Sequence, residues 1–114
     1  MQCSVSRLYK SLKKIILILF LLISSSSAFA DPKMDLALEV YNNKAQCGVC
    51  HVLQVAKSVG QIGPNLDMLK TPEARIISTV MNGIGVMPAF EGTLTTEEIE
   101  AVAYFVFNST NNWW

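Results

Sequence analysis

The segment Cys47-Gly48-Val49-Cys50-His51 contains the only two cysteines after residue 30 and the only histidine of the chain. Two cysteines separated by two residues and followed directly by a histidine form the attachment pattern for c-type haem. In that chemistry the two thiols become thioethers on the haem vinyl groups, and the adjacent histidine supplies the proximal ligand of the iron. The segment therefore predicts one covalent haem c, attached through Cys47 and Cys50 and ligated by His51.

Three other interpretations of this segment remain open, although the rest of the sequence disfavours each of them. A thioredoxin-type redox pair lies in a βαβ setting, and the sequence contains no such pattern. A structural zinc site needs four ligands, usually from two separated clusters, whereas no cysteine or histidine follows His51. The third alternative is a chance match without chemistry.

The first 30 residues have the order of a secretory signal peptide. The basic residues come first, at Arg7, Lys10, Lys13 and Lys14. The apolar run 15–23 follows, and Ala28-Phe29-Ala30 matches an A-x-A cleavage site. A run of nine apolar residues is short for a spanning helix, which needs about eighteen, and this disfavours an uncleaved anchor. We therefore expect a signal peptide over 1–30, one domain over 31–114 and a periplasmic location, with membrane contact only if the signal segment is retained.

The composition of residues 31–114 limits the classes of function. Five basic and nine acidic residues give this part a formal net charge of −4, to which two haem propionates would add. A nucleic-acid role is disfavoured, because such proteins present a basic surface. An acidic protein instead suits partners with basic patches. A domain of this size is marginal by itself, so we expect the haem-free chain to fold poorly.

Helical patterns cover most of the domain, and no segment indicates a convincing strand. Asp31-Pro32 supplies an N-cap and a first-turn proline for a helix expected to reach about Ala45. Residues 52–65 are expected to be mostly loop, and residues 66–70 to form one short helical turn.

Two further helices have clear end signals. Thr71-Pro72-Glu73 predicts an N-cap at Thr71 and a first helical residue at Pro72, and Gly83 stands where a C-terminal glycine belongs. Thr95 and Glu98 match a capping box at the start of the last helix. The apolar residues of that helix recur at helical spacing, at Ile99, Val102, Ala103 and Val106.

The second axial ligand of the iron has to be a residue other than histidine. Methionine is the natural soft ligand, and the domain contains Met34, Met68, Met81 and Met87. Packing or gap filling accounts for the first three, because they lie at a helix start, in a short segment and on an apolar helix face. Met87 lies in a loop flanked by glycines and followed by Pro88, and this position favours it as the ligand.

Four motifs in a fixed order give residues 32–107 a resemblance to small bacterial class I c-type cytochromes. They are Cys47-Gly48-Val49-Cys50-His51, Gly63-Pro64-Asn65-Leu66, Asn82-Gly83-Ile84-Gly85-Val86-Met87-Pro88-Ala89-Phe90, and the helix over residues 94–107. The resemblance implies an all-α fold of three to four helices wrapped around one covalently bound haem with His/Met ligation. It also implies that the Pro64 carbonyl accepts a hydrogen bond from the other ring nitrogen of His51.

The resemblance further implies that the first and last helices cross, with Val40 or Tyr41 packed near Tyr104 and Phe105. One position departs from the family pattern, in which an aromatic residue stands about four positions before the first haem cysteine. Tyr41 is six positions before Cys47. The first helix is therefore expected to end early or to carry a bulge at Asn42-Asn43.

The function implied is one-electron transfer in the periplasm, without bond-making chemistry or a small-molecule substrate. Its partners would be a donor dehydrogenase or cytochrome complex and an acceptor oxidase or reductase. Two alternatives remain open. The chain could be the electron-transfer subunit of a periplasmic dehydrogenase for sulfite or another small substrate, or a peroxidase-like or gas-binding haem protein with an open iron site.

Overall fold

The computed structural model describes residues 2–23 and 31–111 of the chain. Its α-helices are α1 (Gln2–Ile23), α2 (Pro32–Glu39), α3 (Glu73–Asn82) and α4 (Thr96–Asn111). Two short strands, β1 (Val52–Leu53) and β2 (Ser58–Val59), lie between α2 and α3 in the chain. The short turn expected after Asn65 is present as one 3₁₀ turn over Leu66–Met68.

Helix α1 contains the basic residues and the apolar run of the predicted signal peptide. No helix in the described part of the chain combines the length and the apolar character needed to cross a membrane. The serine run and the predicted cleavage site Ala28-Phe29-Ala30 lie outside the described residues. The domain boundary after Ala30 therefore stays a prediction.

Helix α2 begins as predicted and ends in a wider turn. The Asp31 side chain accepts a hydrogen bond from the Lys33 amide at 3.0 Å, and Pro32 is the first helical residue. After Glu39 the chain forms a π-turn over Val40–Lys44, closed by the Ala45 amide, which donates to the Val40 carbonyl at 2.9 Å. The expected bulge is present, and it lengthens the chain between Tyr41 and the first haem cysteine.

Strands β1 and β2 correct the expectation of a domain without strands. They pair antiparallel, with Val52 opposite Val59 and Leu53 opposite Ser58. A 3₁₀ turn over Gln54–Ala56 and Lys57 at φ 53° reverse the chain between them. Two residues in each strand are too few to produce an alternating pattern in the sequence, so only the pairing reveals them.

Helices α3 and α4 differ in how well their starts were predicted. Helix α3 begins at Glu73, one residue later than expected, because the Pro72 carbonyl accepts its first backbone hydrogen bonds and Pro72 is therefore the cap residue. The capping box of α4 is confirmed. The Thr95 amide donates to Glu98 Oε2 at 2.8 Å, and the Glu98 amide donates to Thr95 Oγ1 at 3.2 Å.

The core lies where α2 and α3 pack against α4. Tyr41 is fully buried, and its ring meets the edge of the Phe105 ring with centroids 5.7 Å apart and planes at 78°. This contact confirms the predicted packing of the first helical segment against the last helix. The buried residues of α4 follow its predicted apolar face, including Ile99, Val102, Ala103 and Val106.

Candidate functional site

The attachment segment is a tight turn held by its own backbone. Cys47–Val49 form a 3₁₀ turn, and the Cys47 carbonyl accepts from the Cys50 amide at 3.1 Å and from the His51 amide at 2.9 Å. These bonds close the turn that carries both thiols and the imidazole. Cys47 and Cys50 are both half-buried, and no disulfide joins them.

The surroundings of Cys47 disfavour a charged thiolate. Desolvation by burial raises the pKa of Cys47 to about 11, against a smaller lowering by a backbone hydrogen bond. The thiol is therefore protonated at neutral pH, whereas a thioredoxin-type redox pair depends on a cysteine with a lowered pKa. The redox-pair interpretation is correspondingly weakened.

His51 is oriented by a carbonyl and packed against a glycine. Its Nδ1 lies 2.8 Å from the carbonyl oxygen of Pro64, which is the hydrogen bond predicted for this pair. A carbonyl only accepts, so Nδ1 carries the proton and Nε2 keeps its lone pair for a metal. A Cβ at Gly63 would lie 2.5 Å from His51 Cε1, so only glycine allows this close approach of the backbone to the ring.

Met87 lies in a turn in which both of its backbone polar groups are bonded. The Met87 amide donates to the Ile84 carbonyl at 2.9 Å, and the Ile84 amide donates to the Met87 carbonyl at 3.1 Å. Gly85 at the tip of this turn has φ 57°, a conformation that favours glycine. The turn therefore holds the backbone of the half-buried Met87 in one position.

The candidate ligands line one cavity of about 530 Å³. Cys47, Cys50 and His51 line it from one segment, and Met87 lines it from another. Met87 is the only methionine of residues 31–111 that does so. The rest of the wall is mainly apolar and includes Tyr41, Ile62, Leu66, Ile76, Val80, Phe90, Val102 and Val106.

The size and chemistry of this cavity fit a haem. Cofactor cavities usually measure about 300–1,000 Å³ and have apolar walls with a few placed polar groups. Here the apolar wall suits a flat macrocycle, two thiols suit its covalent attachment, and one imidazole nitrogen and one thioether suit its iron. A second cleft of about 480 Å³, between Asp31–Leu36 and Glu97–Ala101, contains none of these groups.

The described residues do not support the zinc interpretation of the cysteine pair. Across 2–23 and 31–111, the structure contains no group of three or more histidine, cysteine, aspartate or glutamate side chains placed to hold a metal ion. A structural zinc site requires four such ligands.

Comparison with known proteins identifies the family. Residues 33–106 match the family described as "Cytochrome C oxidase, cbb3-type, subunit III". The chain belongs to this family of c-type cytochromes. Its cofactor is haem c, and the spacing of Cys47 and Cys50 is that of the attachment motif. At the level of the family, cytochromes c are electron carriers that act with redox partners.

Curated relatives of this cytochrome include two cytochromes c6. The one from Leptolyngbya boryana is 33% identical over 81 residues, which cover 67% of this chain and 92% of the relative. The one from Microcystis aeruginosa is 37% identical over 79 residues, which cover 61% of this chain and 91% of the relative. The alignments thus cover almost the whole length of each of the two cytochromes c6.

A solved structure supports the fold of the cytochrome. The crystal structure of the c-type cytochrome SorU from Sinorhizobium meliloti matches with a TM-score of 0.65 and 46% sequence identity. The match covers 69% of this chain and 92% of that chain. The predicted class I cytochrome c fold and the predicted haem c are therefore confirmed.

The sequence interpretation missed one wall of the haem cavity. Arg75, Ile76, Thr79 and Val80 of α3 line it. The helical spacing of apolar residues in the sequence predicts a different face, formed by Ala74, Ile77, Val80 and Met81. The two sets differ because α3 faces the core with one side and the cavity with another. The sequence contains one signal that singles out this face of α3, because Arg75 is the only arginine after residue 30.

Proposed function

We propose that this cytochrome is a periplasmic one-electron carrier whose haem iron is ligated by His51 and Met87. The observation that carries the proposal is the convergence of Cys47, Cys50, His51 and Met87 on one apolar cavity. Haem c supplies a reversible one-electron change at its iron when it is bound. The contribution of the chain is to attach, orient and bury that group.

Each of the proposed ligands has a structural reason to hold its position. The Pro64 carbonyl fixes the His51 ring and its proton, which increases the donor strength of the free nitrogen. The hydrogen-bonded turn Ile84–Met87 fixes the backbone that bears the thioether. His/Met ligation raises the reduction potential of a haem. If His51 and Met87 both ligated the iron, no ligand position would remain for a substrate, which agrees with a carrier rather than an enzyme.

The ligation is tested in residues 31–114 co-expressed with a c-type maturation system. We expect a weak near-infrared sulfur-to-iron band in the oxidised wild type. This band should disappear in Met87→Ala. The midpoint potential should also fall, because the soft ligand that favours ferrous iron is lost. Met68→Ala is the matched control, since Met68 is 79% exposed and lies outside the cavity, and it should leave both properties unchanged.

Two results would contradict the proposed ligation. Met87→Ala with the wild-type band and potential would exclude Met87 as the ligand. A wild type without the band whose ferrous form binds carbon monoxide in the absence of denaturant would favour the open-site haem protein. Haem that withstands acid-acetone extraction in every variant would show that attachment through Cys47 and Cys50 is intact.

The proposed location rests on the signal-peptide pattern of the first 30 residues. The full chain should be exported to the periplasm in a bacterial host, and N-terminal sequencing of the exported protein should begin at Asp31. A mature protein that still begins at Met1 and sediments with membranes would contradict both the cleavage site and the free carrier.

The proposed partners are a donor dehydrogenase or cytochrome complex and an acceptor oxidase or reductase. The net charge of −4 of residues 31–114 suits partners with basic patches, and such encounters weaken steeply with salt. Dissociation constants measured from low to high ionic strength separate two roles. A shuttle should bind weakly with strong salt dependence, whereas a dedicated dehydrogenase subunit should form a tight complex that withstands salt.

A further inference from the structure

Arg75 has an unusual position among the charged residues of this cytochrome. In residues 31–111 it is the only lysine, arginine, aspartate or glutamate that lines the haem cavity. It lies in the first turn of α3 and is exposed. The rest of the cavity wall is mainly apolar, so the charge of the Arg75 guanidinium is an exception within it.

The other cations of residues 31–111 do not line the cavity. Lys44 pairs with Glu98, and Lys70 donates to the Thr110 carbonyl at 2.6 Å at the end of α4. Lys33 lies over the Tyr104 ring at 4.4 Å from its centroid. Lys57 is exposed in the turn between β1 and β2. Arg75 is therefore the one cation of residues 31–111 that lines the cavity.

Among residues 2–23 and 31–111, no carboxylate forms an ion pair with Arg75. The ion pair that the structure contains between side chains of residues 31–111 joins Lys44 to Glu98, and neither residue lines the cavity. Haem c carries two propionate carboxylates, which are the only charged substituents on the edge of its ring. A carboxylate placed at an apolar wall is costly unless a cation or hydrogen-bond donors meet it.

Two threonines surround Arg75 along the chain with the spacing of a helical turn. Thr71 precedes it by four residues, Thr79 follows it by four, and all three line the cavity. Arg75 and Thr79 share one face of α3, because residues four apart on a helix lie above one another. The guanidinium donates through a planar fork that matches a carboxylate, and threonine hydroxyls add further donors.

We infer that Arg75 is a positioning residue that binds a haem propionate through its guanidinium, with Thr71 and Thr79 as neighbouring donors. The inference deepens the proposed function and rests on it. The role is electrostatic as well as structural, since a cation beside the propionate offsets an anion that would otherwise favour the oxidised iron. Arg75 thus helps to hold the reduction potential high.

Nuclear magnetic resonance of the ferrous holoprotein tests the contact directly. Arginine labelled with ¹⁵N gives one resonance set in residues 31–114, because Arg75 is the only arginine there. We expect a nuclear Overhauser cross-peak between the Arg75 Nε–H proton and the propionate methylene protons. Carbon monoxide is added if the iron proves to have an open position, so the haem stays diamagnetic and the cross-peak is readable whichever residue is the sixth ligand.

Midpoint potentials test the electrostatic role. Arg75→Gln should move the potential to a lower value, and Arg75→Lys should recover most of the change because it keeps the charge. Lys57→Gln removes the same charge outside the cavity and should shift the potential much less. An unchanged near-infrared band in each variant shows that axial ligation is intact, which separates a failure of this inference from a failure of the proposed ligation.

Absence of the cross-peak in the wild type overturns the inference. This result is expected if Arg75 contacts a partner protein and not a haem propionate. Equal shifts of potential in Arg75→Gln and Lys57→Gln overturn it as well, because the charge would then act without a specific contact. The cross-peak together with a larger shift in Arg75→Gln supports the inference.

Discussion

Gly83 has a backbone conformation on which the position of Met87 depends. With φ 70° and ψ 171° it lies in a region that is nearly restricted to glycine. A Cβ at this residue would also lie 2.6 Å from the Met87 carbonyl oxygen and 2.7 Å from the Ala89 amide nitrogen. Both obstacles are backbone atoms, so the chain around Met87 would have to move.

We predict that Gly83→Ala displaces Met87 and destabilises the protein. The backbone conformation alone should cost about 1–3 kcal/mol, and the collision should weaken the sulfur-to-iron band in near-infrared spectra. Gly92→Ala is the control, because Gly92 has φ 81° with no atom within 4 Å of an added Cβ. It should lower stability in urea but keep the band. A full band in Gly83→Ala would contradict the predicted displacement.

The π-turn at the end of α2 places Tyr41 between the core and the haem cavity. Its ring packs on Phe105, and its hydroxyl lies 3.0 Å from Ser58 Oγ. Ser58 Oγ also accepts from the Leu53 amide at 3.0 Å. Burial raises the pKa of Tyr41, so the phenol stays neutral. One side chain therefore joins α2, α4 and the strand pair.

We predict that Tyr41→Phe lowers stability by about 0.5–1.5 kcal/mol, the usual net value of one hydrogen bond. The loss should stay small because Ser58 keeps its bond to Leu53 and the ring contact with Phe105 is kept. Urea denaturation of the holoprotein measures the change. Tyr104→Phe is the comparison, since Tyr104 is half-buried and the tyrosine hydroxyl that meets Ser58 Oγ is that of Tyr41. Equal losses in both variants would argue against a specific role for the Tyr41 hydroxyl.

Glu98 ties the π-turn to the start of α4. Its carboxylate pairs with Lys44 and also accepts from the Thr95 amide. The hydrogen bond from Lys44 and that from the Thr95 backbone lower the pKa of Glu98. A carboxyl with a lower pKa in the folded chain stabilises that chain above the unfolded-state pKa, and the stabilisation is lost as the pH falls through the lowered value.

We predict that Glu98→Gln lowers the urea midpoint at neutral pH and that its difference from the wild type shrinks as the pH falls through the lowered carboxyl pKa. Gln keeps an acceptor for the capping box but removes the charge that meets Lys44. Glu97→Gln, an exposed change of the same charge in the same helical turn, should alter the midpoint less. A difference that persists in acid would contradict the linkage to this carboxyl.

The domain is built around its cofactor. The haem cavity of about 530 Å³ adjoins the core, and Tyr41, Val102 and Val106 belong to both. Without haem these side chains would border an empty space, and empty space in a core costs stability in proportion to its volume. A domain of this size has little stability to lose.

We predict that a double variant Cys47→Ala, Cys50→Ala of residues 31–114, purified without haem, lacks a cooperative thermal transition. Circular dichroism of the variant and of the wild-type holoprotein measures this directly. The holoprotein should melt in one sharp transition. A cooperative melt of the haem-free chain would show that the apolar contacts among α2, α3 and α4 suffice without the macrocycle.

Features that are local along the chain could be predicted from the amino-acid sequence. The attachment motif is five consecutive residues, and its spacing alone predicts haem c. The N-cap Asp31 and the Thr95–Glu98 box involve partners within three residues, so their hydrogen bonds could be read from the pattern and are present. The order of the motifs resembles that of a known family, and this resemblance also predicted the fold and the hydrogen bond between His51 and Pro64.

Features that depend on residues far apart in the chain are visible only in the folded structure. The strand pair, the convergence of Met87 with His51 on one cavity and the placement of Arg75 on its wall all join separate segments. The late start of α3 depends on which carbonyl accepts the first helical bonds, a competition between Thr71 and Pro72 that residue preferences did not resolve. Such contacts form only when the chain closes on itself, because distance in space is set by packing and not by spacing along the sequence.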